Sequence, residues 1–162
     1  MNTITRARQD PVRCRVAPSV LALLESARRG LSSAEEDVSA AGRYVGAHLA
    51  ALRAAAAIVT AKSEPASRRR RPQSVWELLP RVEPTLSEWA AFFAAGAGKR
   101  AAAEAGSRRA VTEREADDLV RDADRFLGLV EEALGLTRHA PFQEYLPTTI
   151  SPRLPGGSHR VA

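Results

Sequence analysis

Ser33-Ala-Glu-Glu-Asp-Val-Ser-Ala-Ala-Gly-Arg43-Tyr-Val-Gly-Ala-His48-Leu-Ala-Ala-Leu-Arg53-Ala-Ala-Ala-Ala57-Ile-Val-Thr-Ala-Lys62 is the stretch on which the fold turns. It holds no proline and is dominated by alanine, the strongest helix former. Ser33 and Glu36 are spaced as a capping box, in which hydroxyl and carboxylate each satisfy a free backbone N–H at a helix start. Val38, Ala41, Val45, Leu49, Leu52, Ala56 and Val59 follow at steps of three and four, so one apolar face is expected on a helix spanning 33–62. The same stretch carries Arg43 and His48, the one pair of side chains suited to acid–base work on a phosphate.

Working outward, the pattern stays helical. Val20, Leu23, Leu24 and Ala27 predict a first helix over 19–29, with Gly30 as its stop. Ser74-Val-Trp-Glu77 is a second capping box and predicts a short helix over 75–79, ended by Pro80. Pro84 suits the first turn of the next helix, 84–105, whose stripe is Leu86, Trp89, Ala90, Phe93 and Ala97. Gly96 and Gly98 are expected to fray or kink its second half. Thr112-Glu-Arg-Glu115 is a third capping box and opens a helix over 113–134, stopped by Gly135. No segment alternates as a strand would. The expected fold is all-α: an up-and-down bundle of four main helices plus one short helix, over 18–135. Residues 1–17 are expected to be a disordered basic tail and 136–162 an irregular or disordered one.

The chain has 162 residues and a net charge of +5, with 24 Lys and Arg against 19 Asp and Glu. The charge is uneven. Residues 1–17 carry +3 and 136–162 carry +2, leaving 18–135 neutral even with Arg68, Arg69, Arg70 and Arg71 counted in. The basic character therefore belongs to the tails and to one Arg/Pro-rich linker, Glu64 to Pro72. A single cysteine, Cys14, excludes a disulfide framework and a cysteine-ligated metal. The uninterrupted apolar runs Ala54 to Val59 and Ala90 to Ala97 are too short to span a bilayer, and no signal-peptide core opens the chain. A cytoplasmic protein without a membrane partner is expected. There is no phosphate loop, nucleophile elbow or zinc signature. Asp118 and Asp122 share a helix face but stand among arginines, so a solvated face is expected there, with no metal and no cofactor.

The order of these segments resembles the HEPN superfamily (higher eukaryotes and prokaryotes nucleotide-binding domain), in particular a short stand-alone branch found in actinobacteria. The resemblance is carried by Arg43-x4-His48 running into Leu49 to Ala57, the Arg/Pro-rich linker, Ser74-Val-Trp-Glu-Leu-Leu79, Ser87-Glu-Trp-Ala-Ala-Phe-Phe93 and Arg114-Glu-Ala-Asp-Asp-Leu119. It covers roughly 18–135. It implies a helical bundle, homodimerisation, association with RNA or a nucleotide, and a nucleotidyltransferase or toxin–antitoxin partner. Nucleases of that superfamily cut RNA without a metal, using an Arg-x4–6-His motif in which the His handles a proton and the Arg neutralises phosphate charge. Their motif lies late in the domain with a polar residue after the Arg. Here Arg43 lies early and Tyr44 follows it, which is more like the non-nuclease type.

Geometry bears on the same pair. Five residues of helix turn by about 500°, so Arg43 and His48 should point roughly 140° apart with ~7.5 Å of rise. His48 is expected at the flank of the core and Arg43 towards solvent. The function that follows is a HEPN-type module that binds RNA, a nucleotide or a protein partner without catalysis. Arg68, Arg69, Arg70 and Arg71 are its candidate phosphate contacts. The alternative is a metal-independent endoribonuclease with Arg43 and His48 as catalytic residues, and a second alternative is an adaptor bundle with no nucleic-acid role.

Overall fold

In a computed structural model the protein is described over residues 16–63 and 73–137. The helices are α1 (Pro18–Glu36), α2 (Ala40–Lys62), α3 (Val75–Val82), α4 (Ser87–Glu104) and α5 (Glu113–Ala133), with a 3-10 turn, Pro84–Leu86, leading straight into α4. The described residues hold no strand, so the all-α bundle stands as expected. Residues 1–15, the linker 64–72 with Arg68 to Arg71, and residues 138–162 with His139 and His159 lie outside the described residues, and with them nearly all of both expected tails. α2 and α5 run the same way, since Arg43 near the start of α2 meets Glu113 and Asp117 at the start of α5. α4 runs opposite to α2, with Phe93 beside His48 and Gly96 beside Tyr44.

α2 is the axis of the bundle and lies against all four other helices. That explains its composition. A helix surrounded on every side must let its neighbours approach, and alanine does so without losing helix propensity. Ala47, Ala50, Ala51, Ala54, Ala55 and Ala57 are all buried, with Ile58, Tyr44 and His48. At Gly46 a Cβ would stand 2.7 Å from the Cβ of Ala34, so the α1–α2 crossing needs glycine there. The larger payload comes from α4 and α5, where Phe93 and Phe126 are fully buried with ring centroids 5.1 Å apart. Each such ring contributes about 1.5–3 kcal/mol.

Several expectations about the elements are corrected. Gly30 does not stop α1, which runs on to Glu36 because Leu31 and Ala34 continue the buried stripe of Val20, Leu24 and Ala27. Ser33 therefore lies inside α1 and caps nothing. The break is Asp37-Val38-Ser39, and the cap of α2 is Ser39, whose hydroxyl accepts from the Gly42 N–H at 3.0 Å. Asp37 accepts from the Ser39 N–H and hydroxyl, both at 2.8 Å, and its carboxylate fills the space a Cβ at Gly42 would need. Val38, expected on the apolar face, is 96% exposed in this turn. The buried side of α2 is set by Tyr44, Ala47, Ala51, Ala54, Ala55 and Ile58, and the expected stripe forms its flank.

Pro80 lies inside α3, which continues to Val82. Gly96 and Gly98 do not interrupt α4. The boxes at Ser74 and Thr112 form as expected, and Gly135 (φ 69°) ends α5. By length and composition α2 is also the one helix among the described residues apolar enough to cross a membrane, although no uninterrupted apolar run is. Half of its apolar window is buried inside the bundle.

Candidate functional site

Arg43 and His48 sit on separate faces of α2, as their spacing requires, and each has its own partners. Arg43 does not point into open solvent as expected: its side chain is only 13% exposed. The guanidinium donates Nε–H to Asp117 at 2.9 Å, Nη1–H to the Asp37 carbonyl at 2.9 Å, and Nη2–H to Glu113. The hydrogen bond to Glu113, with the Glu113 and Asp117 charges, holds its pKa above the ordinary arginine value. Each of the three nitrogens of the fork thus has one N–H engaged in joining the α1–α2 turn to the first turns of α5, and Nη1 and Nη2 each carry a second N–H.

His48 is not at the flank but at the centre, 1% exposed. Its Nε2 lies 2.8 Å from the Phe93 carbonyl. A carbonyl only accepts, so Nε2 carries the proton and Nδ1 of the neutral ring presents a lone pair. Nδ1 is buried and has no hydrogen-bond partner. The ring meets Trp76 and Phe93 edge-on, at 6.1 and 5.9 Å between centroids. Burial among these rings lowers the His48 pKa from 6.5. Phe93 is itself held between Trp76 and Trp89, stacked at 5.3 and 6.0 Å. Trp76, Phe93 and Phe126 are buried core residues, and Trp89 packs against them. Phe92, by contrast, is 45% exposed.

Between Arg43 and His48 lies Tyr44, legible in the sequence only as the residue that follows the Arg of the motif. It floors a cleft between α4 and α5, two consecutive helices that do not pack closely on each other. The outer part, about 420 Å³, is lined by Tyr44, Phe92, Lys99, Glu115, Asp118 and Asp122 among others. A smaller space of about 250 Å³ continues inward past Ala95, Gly96 and Leu119 to His48. Lys99 bridges the two helices to Glu115. That bond, with the Thr112 N–H and hydroxyl, drops the Glu115 pKa to about 2. Partial burial raises that of Asp122. Gly96 was the available signal: a Cβ there would meet the Tyr44 hydroxyl at 3.0 Å and the His48 ring at 3.4 Å. A glycine inside a regular helix often marks such an approach.

Among the described residues no group of three or more His, Cys, Asp or Glu is placed to hold a metal, and Asp118 pairs with Arg121 instead. The described body carries 13 Lys and Arg against 16 Asp and Glu, a net of −3, so it presents no overall basic charge.

The described residues form an all-α bundle around an alanine-rich central helix. The chain belongs to the HEPN_SAV_6107-like HEPN family, whose model matches residues 34–131. No curated protein and no solved structure matches it.

Proposed function

We propose that the protein is a non-catalytic HEPN module that binds RNA, a nucleotide or a protein partner. One observation carries the reading. The two side chains a HEPN ribonuclease would turn on a phosphate are engaged apart from each other, Arg43 by Glu113, Asp117 and the Asp37 carbonyl, His48 by the Phe93 carbonyl. Turning the Arg43 fork onto a phosphate would compete with three charge-assisted or carbonyl hydrogen bonds that hold three elements together. Because the described body is net negative, affinity for a polyanion is assigned to Arg68, Arg69, Arg70 and Arg71. A nucleotidyltransferase or toxin–antitoxin partner fits the same reading.

A second reading rests on His48 Nδ1. A neutral imidazole with an unshared lone pair is what a general base requires, so a metal-independent endoribonuclease is the competing function. The experiment that separates the two incubates the full chain with single-stranded and structured RNA in EDTA, beside Arg43→Ala and His48→Ala. The binding-module reading expects intact RNA throughout and lowered melting temperatures for both variants. Wild-type cleavage leaving 2′,3′-cyclic phosphate ends, lost in both variants, would replace it with the nuclease.

A further inference from the structure

Between α1 and the end of α5 lies a groove of about 380 Å³, bordered by Leu21, Leu24 and Leu136 and by the charged side chains of Glu25, Arg28 and Glu131. Leu21 on its rim is one of three large apolar side chains left exposed among the described residues. At the polar end Glu131 accepts from Arg28 Nε–H at 3.0 Å and Nη2–H at 2.7 Å, and Asp124 accepts from Nη1–H at 2.7 Å. Nη1 and Nη2 each keep a second N–H. Two lining carboxylates against one guanidinium leave the groove net negative. The chain leaves the described body on this groove. Gly135 (φ 69°) turns it back at the end of α5, with the Gly135 N–H bonded to the Glu132 carbonyl and the Leu136 N–H to the Glu131 carbonyl, each at 2.9 Å. That pair of bonds is the Schellman arrangement, which lays the residue after the glycine against the last turns of the helix. Leu136 accordingly packs on the core, and Thr137 lines the groove.

We infer that this groove is the docking site of the chain's own segment 138–150, with Phe142 as its anchor. The segment reads Arg138-His-Ala-Pro-Phe142-Gln-Glu-Tyr145-Leu146-Pro-Thr-Thr-Ile150. Phe142 and Tyr145 are the two aromatic residues of the chain that lie outside the described residues. Five residues from Thr137 to Phe142 reach up to about 17 Å, whereas Leu21 to Arg28 covers about 10 Å of α1, so the ring can reach any part of the groove. Pro141 and Pro147 bias the residues before them to extended backbone, whose carbonyls need outside donors, and the spare N–H groups of Arg28 are such donors. The charges also match: residues 138–162 carry three arginines and one glutamate, a net of +2, opposite the negative groove. Residues 1–15 offer no aromatic side chain. A groove bordered by so few side chains falls short of the roughly 20–30 residues a side that a stable interface between copies engages. The docking is independent of whether the protein acts on RNA.

Chymotrypsin digestion of the full chain tests it, since cleavage after Phe142 and Tyr145 requires the segment to leave the groove and its rate follows the undocked fraction. Leu21→Asp should speed both cleavages about tenfold, by putting a charge where the ring docks. Val38→Asp, at an exposed position in the α1–α2 turn and away from the groove, should leave them unchanged. Circular dichroism confirms that both variants fold. A second measurement places no charge in the groove. In a Cys14→Ser chain, Leu21→Cys with Phe142→Cys should bridge within one chain about tenfold faster than Ala22→Cys with Phe142→Cys, because the exposed Ala22 is as near to the segment but ~100° further round α1. Cleavage that Leu21→Asp leaves unchanged, equal rates of bridging from positions 21 and 22, or a disulfide that joins two chains would each overturn the inference, the last by giving the groove to a second copy.

Discussion

His48 combines a titratable ring with a fully buried position, and its stability consequences follow from that. Replacing it by alanine removes the hydrogen bond to the Phe93 carbonyl and two edge-on ring contacts. The expected cost is about 2 kcal/mol, read as a shift of the urea midpoint. The pH dependence has a definite sign. The unfolded chain takes up a proton at His48 near pH 6.5, whereas the folded chain does so only at lower pH. Below that value the unfolded state binds more protons, so this site lowers stability by up to about 1.4 kcal/mol per pH unit on acidification. Urea unfolding at neutral pH and near pH 5 measures this, and His48→Gln should lose the part due to the site. An equal acid sensitivity in His48→Gln would assign the effect to other groups. Arg43→Ala is expected to lower stability by about 1 kcal/mol, since its partners Glu113 and Asp117 are exposed.

At the scale of the helices, the glycines separate into those that permit contact and those that do not. Gly46→Ala would press a methyl group onto Ala34 across the α1–α2 crossing, and Gly96→Leu would displace Tyr44 and His48. Each should cost about 1–3 kcal/mol in thermal or urea unfolding, the range for overpacking a core. At Gly98 nothing lies within 4 Å, so Gly98→Ala should gain roughly 0.5–1 kcal/mol from helix propensity alone. A destabilised Gly98→Ala chain would mean that α4 is covered there in a way that leaves no room for a methyl. The ion pairs divide in the same manner. Arg28 joins α1 to α5 through Asp124 and Glu131, both at 2.7 Å and largely buried. Arg29 with Glu25 is an exposed pair within α1, of little weight.

For the whole molecule the distribution of charge matters more than the total. Eleven of the 24 Lys and Arg lie outside the described body, and the body itself is net negative. If the protein binds RNA, replacing Arg68, Arg69, Arg70 and Arg71 by Ser should reduce affinity and flatten the dependence of log Kd on log salt, by about 0.7–0.9 for each phosphate no longer neutralised. Fluorescence anisotropy across a salt series measures both. An unchanged slope would assign the phosphate contacts elsewhere.

Helical periodicity, two of the three capping boxes and the order of the segments were enough to read the all-α bundle and its family from the residues alone, because helix formation and amphipathic burial are largely local in sequence. Side-chain direction was legible too: the spacing of Arg43 and His48 already placed them on different faces. What only the tertiary structure decided was which faces are covered. In a helix as uniformly apolar as α2 the periodic signal is weak, so the buried side depends on where four neighbours lie. The same dependence explains why Gly30 and Ser33 read as a helix boundary when Leu31 and Ala34, drawn into the core, carry α1 through them. It also explains the carboxylate partners of Arg43 and the carbonyl partner of His48, which come from α5 and α4, on segments 45 to 74 residues away along the chain.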